Sequence, residues 1–196
     1  EKETSAHRTL LLRAFFRQFK KVPDEYYQFM RGELGSSPEE KLYKTPKFTK
    51  EFDAANKEAR QFTLGKDNEE IYRAIRETIN PSEDCILIGG PPCQAYSAAA
   101  KARNLNNKDY KAEDDHRNFL YLEYLKVIAK FQPKIFVMEN VKGMLSAHIN
   151  NKPIFNVIKR DLKNPCEAVN IQPEGGREAF KYKIYSLNNI YMSLKN

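Results

Sequence analysis

Cys93 and Glu139 are the residues whose types and surroundings best suit covalent and proton-transfer chemistry. Cys93 lies in the run Ile88-Gly89-Gly90-Pro91-Pro92-Cys93-Gln94-Ala95-Tyr96-Ser97, where glycines and prolines shape a rigid turn. A thiolate held on such a turn can meet an electrophilic carbon at the ~3–3.5 Å of a near-attack geometry. Cysteine becomes strongly nucleophilic near neutral pH once positive charge lowers its pKa, and Lys101, Arg103 and Arg117 follow in the next stretch of chain. Glu139 ends the apolar run Phe136-Val137-Met138. A carboxyl at a buried strand terminus is costly unless partnered, so its pKa is expected to rise, which suits a group that donates or shares a proton. Together the two fit attack on an electron-poor ring that is a better electrophile when its nitrogen is protonated. The plain alternatives are an inert buried thiol at Cys93 and, at Glu139, a carboxylate that caps the next turn or pairs with an arginine. Cys85, inside an apolar run, reads as a small hydrophobe, and Cys166 carries no arguable chemistry.

The elements around these residues must bring both to one place. Asp84-Cys85-Ile86-Leu87-Ile88 predicts a buried strand broken by Gly89-Gly90-Pro91-Pro92. Residues 98–115 lack periodicity and predict a long loop. Residues 117–131 predict a helix with Phe119, Leu120, Tyr124, Val127 and Ile128 facing inward, ended by Gln132-Pro133. Lys134 to Met138 predicts a second buried strand. This order is the grammar of a parallel sheet with crossover helices, whose ligands sit beyond the carboxyl ends of the strands. Further helices are predicted over 4–20, 51–64, 68–80 and 153–163, the last stopped by Pro165. Asp24 to Met30 predicts a short aromatic turn, residues 31–50 a charged loop or excursion, and Ala179 to Tyr185 one more strand.

Composition bounds the rest. The chain has 196 residues, room for one domain and little more, and 33 Lys+Arg against 26 Asp+Glu give a net charge of +7. The excess permits a nucleic-acid partner without demanding one. Twelve Phe and eleven Tyr exclude a disordered tail, and no apolar run approaches the ~18 residues of a membrane span. Three cysteines exclude a disulfide scaffold, and three scattered histidines (His7, His116, His148) give no metal-ligand spacing. A reducing, cytoplasmic setting is expected. The opening Glu1-Lys2-Glu3, without Met, reads as a piece of something longer.

The stretch Gly89 to Ser97, Arg117 with Leu120, and Met138-Glu139-Asn140-Val141-Lys142-Gly143 together closely resemble the DNA (cytosine-5) methyltransferases, and the resemblance runs to about Leu162. It implies an α/β, Rossmann-like methyltransferase fold, truncated here at both ends. Residues 1–196 would form a partial S-adenosylmethionine-dependent catalytic domain, with a subgroup insertion at 31–50 and no target-recognition domain. By this resemblance the cytosine is flipped out of the duplex, Cys93 attacks its C6 and Glu139 protonates N3. Pro92 shapes the turn against the base, Arg117 supports the catalytic network, and Asn140 helps hold the strand end. Glu1 would grip the cofactor's ribose, with Pro91 and Leu120 also on the cofactor side. Gln94 and Ser97 would close over DNA, and Lys101 and Arg103, with Lys108 and Lys111, would meet its phosphates.

The implied partners are double-stranded DNA and a cognate restriction endonuclease in a bacterial cytoplasm, at the nucleoid. The implied product of the cofactor is S-adenosylhomocysteine; no metal and no membrane are implied. No acidic residue around Phe62-Thr63-Leu64-Gly65 matches the one that meets the adenine in this family. Two other readings are a non-catalytic or split-subunit DNA-binding relative and a tRNA cytosine-5 methyltransferase.

Overall fold

Leucine and phenylalanine at helical spacing give α1 (Thr4–Arg17) one buried stripe, Leu11, Ala14 and Phe15. In the computed structural model of the chain, residues 1–80, 83–91, 120–140, 144–145, 148–149 and 152–187 are described. They fall into two compact units, Glu1–Ile71 and Tyr72–Asn196.

In the first unit α1 is followed by α2 (Asp24–Met30), α3 (Pro38–Tyr43), a 3-10 turn (Pro46–Phe48) and α4 (Thr49–Glu58). α5 (Asn68–Thr78) begins in this unit and continues into the second. The core is aromatic. Phe15 is fully buried and meets Phe19, Tyr43 and Phe48 edge-on, with ring centroids 4.9, 5.2 and 5.9 Å away. Tyr43 also stacks on Phe52 at 4.9 Å. These contacts correct the expectation for residues 31–50. The segment is largely helical, and its Leu42, Tyr43 and Phe48 belong to the core. The predicted aromatic turn at Asp24 is also a helix.

In the second unit β1 (Ile86–Gly89) pairs in parallel with β2 (Ile135–Met138), in the register Ile86↔Ile135 through Gly89↔Met138. The chain between them includes α6 (Leu120–Phe131), which supplies the expected crossover helix. Leu87, Phe136 and Met138 pack toward a core built on Tyr121, Tyr124, Leu125 and Ile128 of α6. The other sheet face is open, since Ile86, Ile88 and Ile135 are all more than half exposed. That corrects the reading of two wholly buried strands.

β3 (His148–Ile149) and β4 (Lys152–Pro153) form a short antiparallel pair leading into α7 (Ile154–Lys163) and α8 (Pro165–Val169). α7 ends at Lys163, just before Pro165 as expected, and Pro165 itself opens α8, because a first-turn proline loses no needed N–H bond.

Residues 179–185 are not a strand. Their burial alternates, with Tyr182 and Ile184 on the core side, but the backbone bonds go elsewhere. The Phe180 amide donates to the Gln132 side chain and the Tyr182 amide to Lys163 O at 2.9 Å. The Tyr182 hydroxyl donates to Pro133 O at 2.7 Å. Gln132, buried and left-handed (φ 50°), anchors this segment to the end of α6.

The C-terminal part of α5 is tied to the 3-10 turn Glu174–Gly176 by Arg76 Nε, which donates to Glu174 Oε1 at 2.6 Å. That bond holds the Glu174 carboxyl below its ordinary value of 4.5. A depressed carboxylate stabilises the fold above that ordinary value, and its contribution is lost as pH falls through the lower folded one. The stability difference between the wild-type chain and Arg76→Leu should therefore be constant above pH 4.5 and shrink below it. Denaturant unfolding at stepped pH measures this; a difference that does not change on acidification would contradict it.

Candidate active site

The carboxyl ends of β1 and β2 carry the described half of the site. The Glu139 amide donates to Gly89 O at 3.0 Å, so the strands stay paired up to the residue that bears the carboxyl. Next to it Gly90 has no side chain, and a Cβ there would lie 3.0 Å from Glu139 Oε2. The bare backbone of Gly90 thus leaves the carboxylate its place. Glu139 itself is exposed. The expectation of a buried carboxyl is corrected: among the described residues the sheet has two strands, and their end does not enclose it. Asn140 follows, half-buried, and Pro91 is buried where β1 turns away. Leu120, half-buried, is the first residue of α6.

Pro92, Cys93, Gln94, Ser97, Lys101, Arg103 and Arg117 lie outside the described residues, as do Lys108, Lys111 and His116. Glu1 belongs to the first unit. Its Oε1 accepts from the Glu3 amide at 2.9 Å, which holds its carboxyl below the ordinary range. Its carbonyl accepts from the Phe62 amide at 3.1 Å, and Gln61 donates to Lys2 O, so the start of the chain is pinned along residues 61–62.

Cys85 and Cys166 are free and half-buried. Burial pushes the Cys166 thiol up, and its neighbours are Gln132 and the Ala129 carbonyl, a packing role. His7 shares a hydrogen bond with Ala59 O at 3.0 Å, and His148 is exposed in β3. Among the described residues no group of three or more His, Cys, Asp or Glu could hold a metal ion, and no helix is long and apolar enough to cross a membrane.

The roles of Gly89 and Gly90 were not singled out by sequence reasoning, although a glycine pair ending an apolar strand marks a close approach. The two glycines should respond oppositely to alanine. A Cβ at Gly89 would lie 2.7 Å from Tyr124 Cε2, against a packed ring, so Gly89→Ala is expected to destabilise the fold by about 1–3 kcal/mol. At Gly90 the obstacle is the tip of a flexible side chain, so Gly90→Ala should fold normally but displace the Glu139 carboxylate. Chemical denaturation of the two variants checks this; equal destabilisation would contradict it.

A model of the C-5 cytosine-specific DNA methylase family matches residues 25–165. The Type II methyltransferase M.AquIA of Picosynechococcus sp. is 47% identical over 68 residues, 35% of this chain and 24% of that protein. M.FnuDI of Fusobacterium nucleatum is 41% identical over 92 residues, 45% of this chain and 24% of that protein. M.NgoPII of Neisseria gonorrhoeae is 39% identical over 87 residues, 44% of this chain and 23% of that protein. The matched stretch thus spans about a quarter of each of these relatives. No solved structure gives a significant match.

Proposed function

The chain belongs to the C-5 cytosine-specific DNA methylase family, whose fold is Rossmann-like, and from that premise we propose that it carries the centre that methylates C5 of a flipped-out cytosine in DNA. The observation that supports this reading most is the pairing of Glu139 with Gly89 at the carboxyl end of a parallel strand pair. From that end β1 runs directly into Gly90-Pro91-Pro92-Cys93, so nucleophile and carboxyl come from adjoining strand ends.

In the proposed sequence the Cys93 thiolate adds to C6 of the cytosine while Glu139 delivers a proton to N3. The addition breaks the C5–C6 double bond and leaves C5 electron-rich. S-adenosylmethionine would supply the methyl group as an electrophile and leave as S-adenosylhomocysteine. N3 returns its proton to Glu139 as C5 takes the methyl group. A base then removes the C5 proton and passes it to solvent, the C5–C6 double bond re-forms and Cys93 is expelled as thiolate, so the protein ends unchanged.

The carboxyl end of a parallel pair, with buried Pro91 beside Gly90, has the chemistry of a nucleotide-type cofactor site. Pro91, Leu120 and Glu1 are the proposed cofactor residues. Binding through the Glu1 carboxylate would compete with the Glu3 amide that its Oε1 accepts from. Pro92 and Arg117 complete the catalytic group, Asn140 supports the strand end, Gln94 and Ser97 close over DNA, and Lys101 and Arg103 meet its phosphates. Residues 1–196 are proposed as one part of the catalytic domain, with 31–50 as a subgroup insertion. A restriction endonuclease is the proposed biological partner.

Transfer of a labelled methyl group to duplex DNA, followed by nucleoside analysis, tests the reading. 5-Methylcytosine in DNA is the expected product. Label found in tRNA and not in DNA would overturn the DNA assignment in favour of an RNA substrate. Label in neither, from the chain alone and from the complete enzyme, would favour a non-catalytic relative.

A further inference from the structure

The two strands share four ladder positions, with one backbone bond beyond them at each end, and a side chain of the crossover helix spans both strands near their carboxyl ends. The residue that does so is Tyr124, on the crossover helix and only 6% exposed. Its ring covers the end of β1: Cε2, Cδ2 and Cζ stand 2.7, 3.3 and 3.5 Å from the position a Gly89 Cβ would take. Its hydroxyl reaches the other strand and donates to Val137 O at 3.1 Å. One side chain thus grips both strands. On β1 it does so at the residue whose carbonyl accepts the Glu139 amide, and on β2 two residues before Glu139.

We infer that Tyr124 is a positioning residue for Glu139, setting the distance between the carboxylate at the end of β2 and the Gly90–Pro91 turn at the end of β1. The inference rests on the proposed role of Glu139 in the methyl-transfer site. The side chain also meets Phe136 edge-on at 6.4 Å, which is ordinary core packing. The hydroxyl is the part that packing does not require. Burial pushes this phenol up to about 12, so it remains a hydrogen-bond donor at any pH suited to the assay.

The test is a double-mutant cycle in the complete enzyme, read as the single-turnover rate of methyl transfer to duplex DNA. Tyr124→Phe keeps the ring over Gly89 and removes only the hydroxyl. It should slow transfer roughly tenfold, the scale of one lost hydrogen bond expressed through a displaced catalytic group. Cofactor and DNA binding should be unchanged, because Tyr124 is buried and its hydroxyl is engaged by the Val137 carbonyl. In a Glu139→Gln background the same substitution should have almost no further effect on the rate, since the group it positions is gone. A purely structural role would slow both backgrounds by the same factor, and that result would overturn the inference. So would a Tyr124→Phe enzyme as fast as wild type. If instead Glu139→Gln alone were fully active, the proposed catalytic role of Glu139 would fail, and the positioning role with it. Thermal melts of all four proteins confirm that the rates compare folded enzymes.

Discussion

Cys93→Ser is expected to lower the rate of methyl transfer by at least about a thousandfold while the protein folds and binds DNA as before. The argument rests on what the first step requires. Carbon 6 of cytosine is a weak electrophile, and only a nucleophile that exists partly as its anion near neutral pH can add to it at a useful rate. A cysteine thiol with ordinary pKa near ~8.5 reaches that state with modest help from positive charge, whereas a serine hydroxyl does not. The substitution changes one atom at nearly constant volume, so its effect on stability should be small. Single-turnover transfer with labelled cofactor measures the rate, and filter binding measures DNA affinity. Residual activity within tenfold of wild type would mean that the thiol is not the nucleophile.

Glu139→Gln carries the second-largest expected effect, a loss of about 10²–10⁴-fold, the range ascribed to a positioned general acid or base. Glutamine fills the same space and can still hydrogen-bond to a ring nitrogen, but it has no proton to hand over. Because the Glu139 side chain is exposed and its amide bond to Gly89 belongs to the backbone, the variant should keep its melting behaviour. Glu139→Asp shortens the reach without removing the proton and should fall between the two. A fall in melting temperature that accounts for the whole loss of activity would show that the carboxyl holds the strand end instead.

The contrast between legible and illegible parts of this chain follows from what short windows of sequence contain. The parallel pair and its crossover helix could be read because apolar runs end abruptly in Gly89-Gly90-Pro91 and in Glu139-Asn140, and because Gln132-Pro133 closes the helix between them. The helical part of residues 31–50 could not. Gly32, Gly35, Pro38 and Pro46 punctuate it so densely that Leu42, Tyr43 and Phe48 looked isolated. Their burial depends on Phe15, more than twenty residues earlier, and no local pattern reports that. Pro165 marks the end of α7 as its sequence suggests, but it also begins α8, a short helix that no local pattern announces.

Residues 179–185 show a third kind of failure. Their period-two pattern is real, with Tyr182 and Ile184 turned to the core. A strand also needs a partner edge, and this segment bonds instead to Gln132 and Lys163. At the site, residue types pointed to Glu139 and to the turn, while its depth did not follow. Among the described residues two strands meet at that end and the carboxyl is exposed, which no reading of the run Phe136-Val137-Met138 could supply. The functional weight of Tyr124 was equally hidden. In sequence it is one of several inward-facing residues of a helix; its distinction arises from lying across Gly89 and Val137 at once.

The central claim is that this chain carries a cysteine nucleophile for methylation at carbon 5, and a covalent trap tests it most directly. Duplex DNA containing 5-fluorocytosine is incubated with S-adenosylmethionine and the protein, alone and as the complete enzyme, and the products are mapped by mass spectrometry. Fluorine at carbon 5 cannot leave as a proton, so the enzyme should remain bound to the methylated base through Cys93, and Cys93→Ser should give no adduct. An adduct at another residue, or turnover of ordinary cytosine without any trapped complex, would contradict the account.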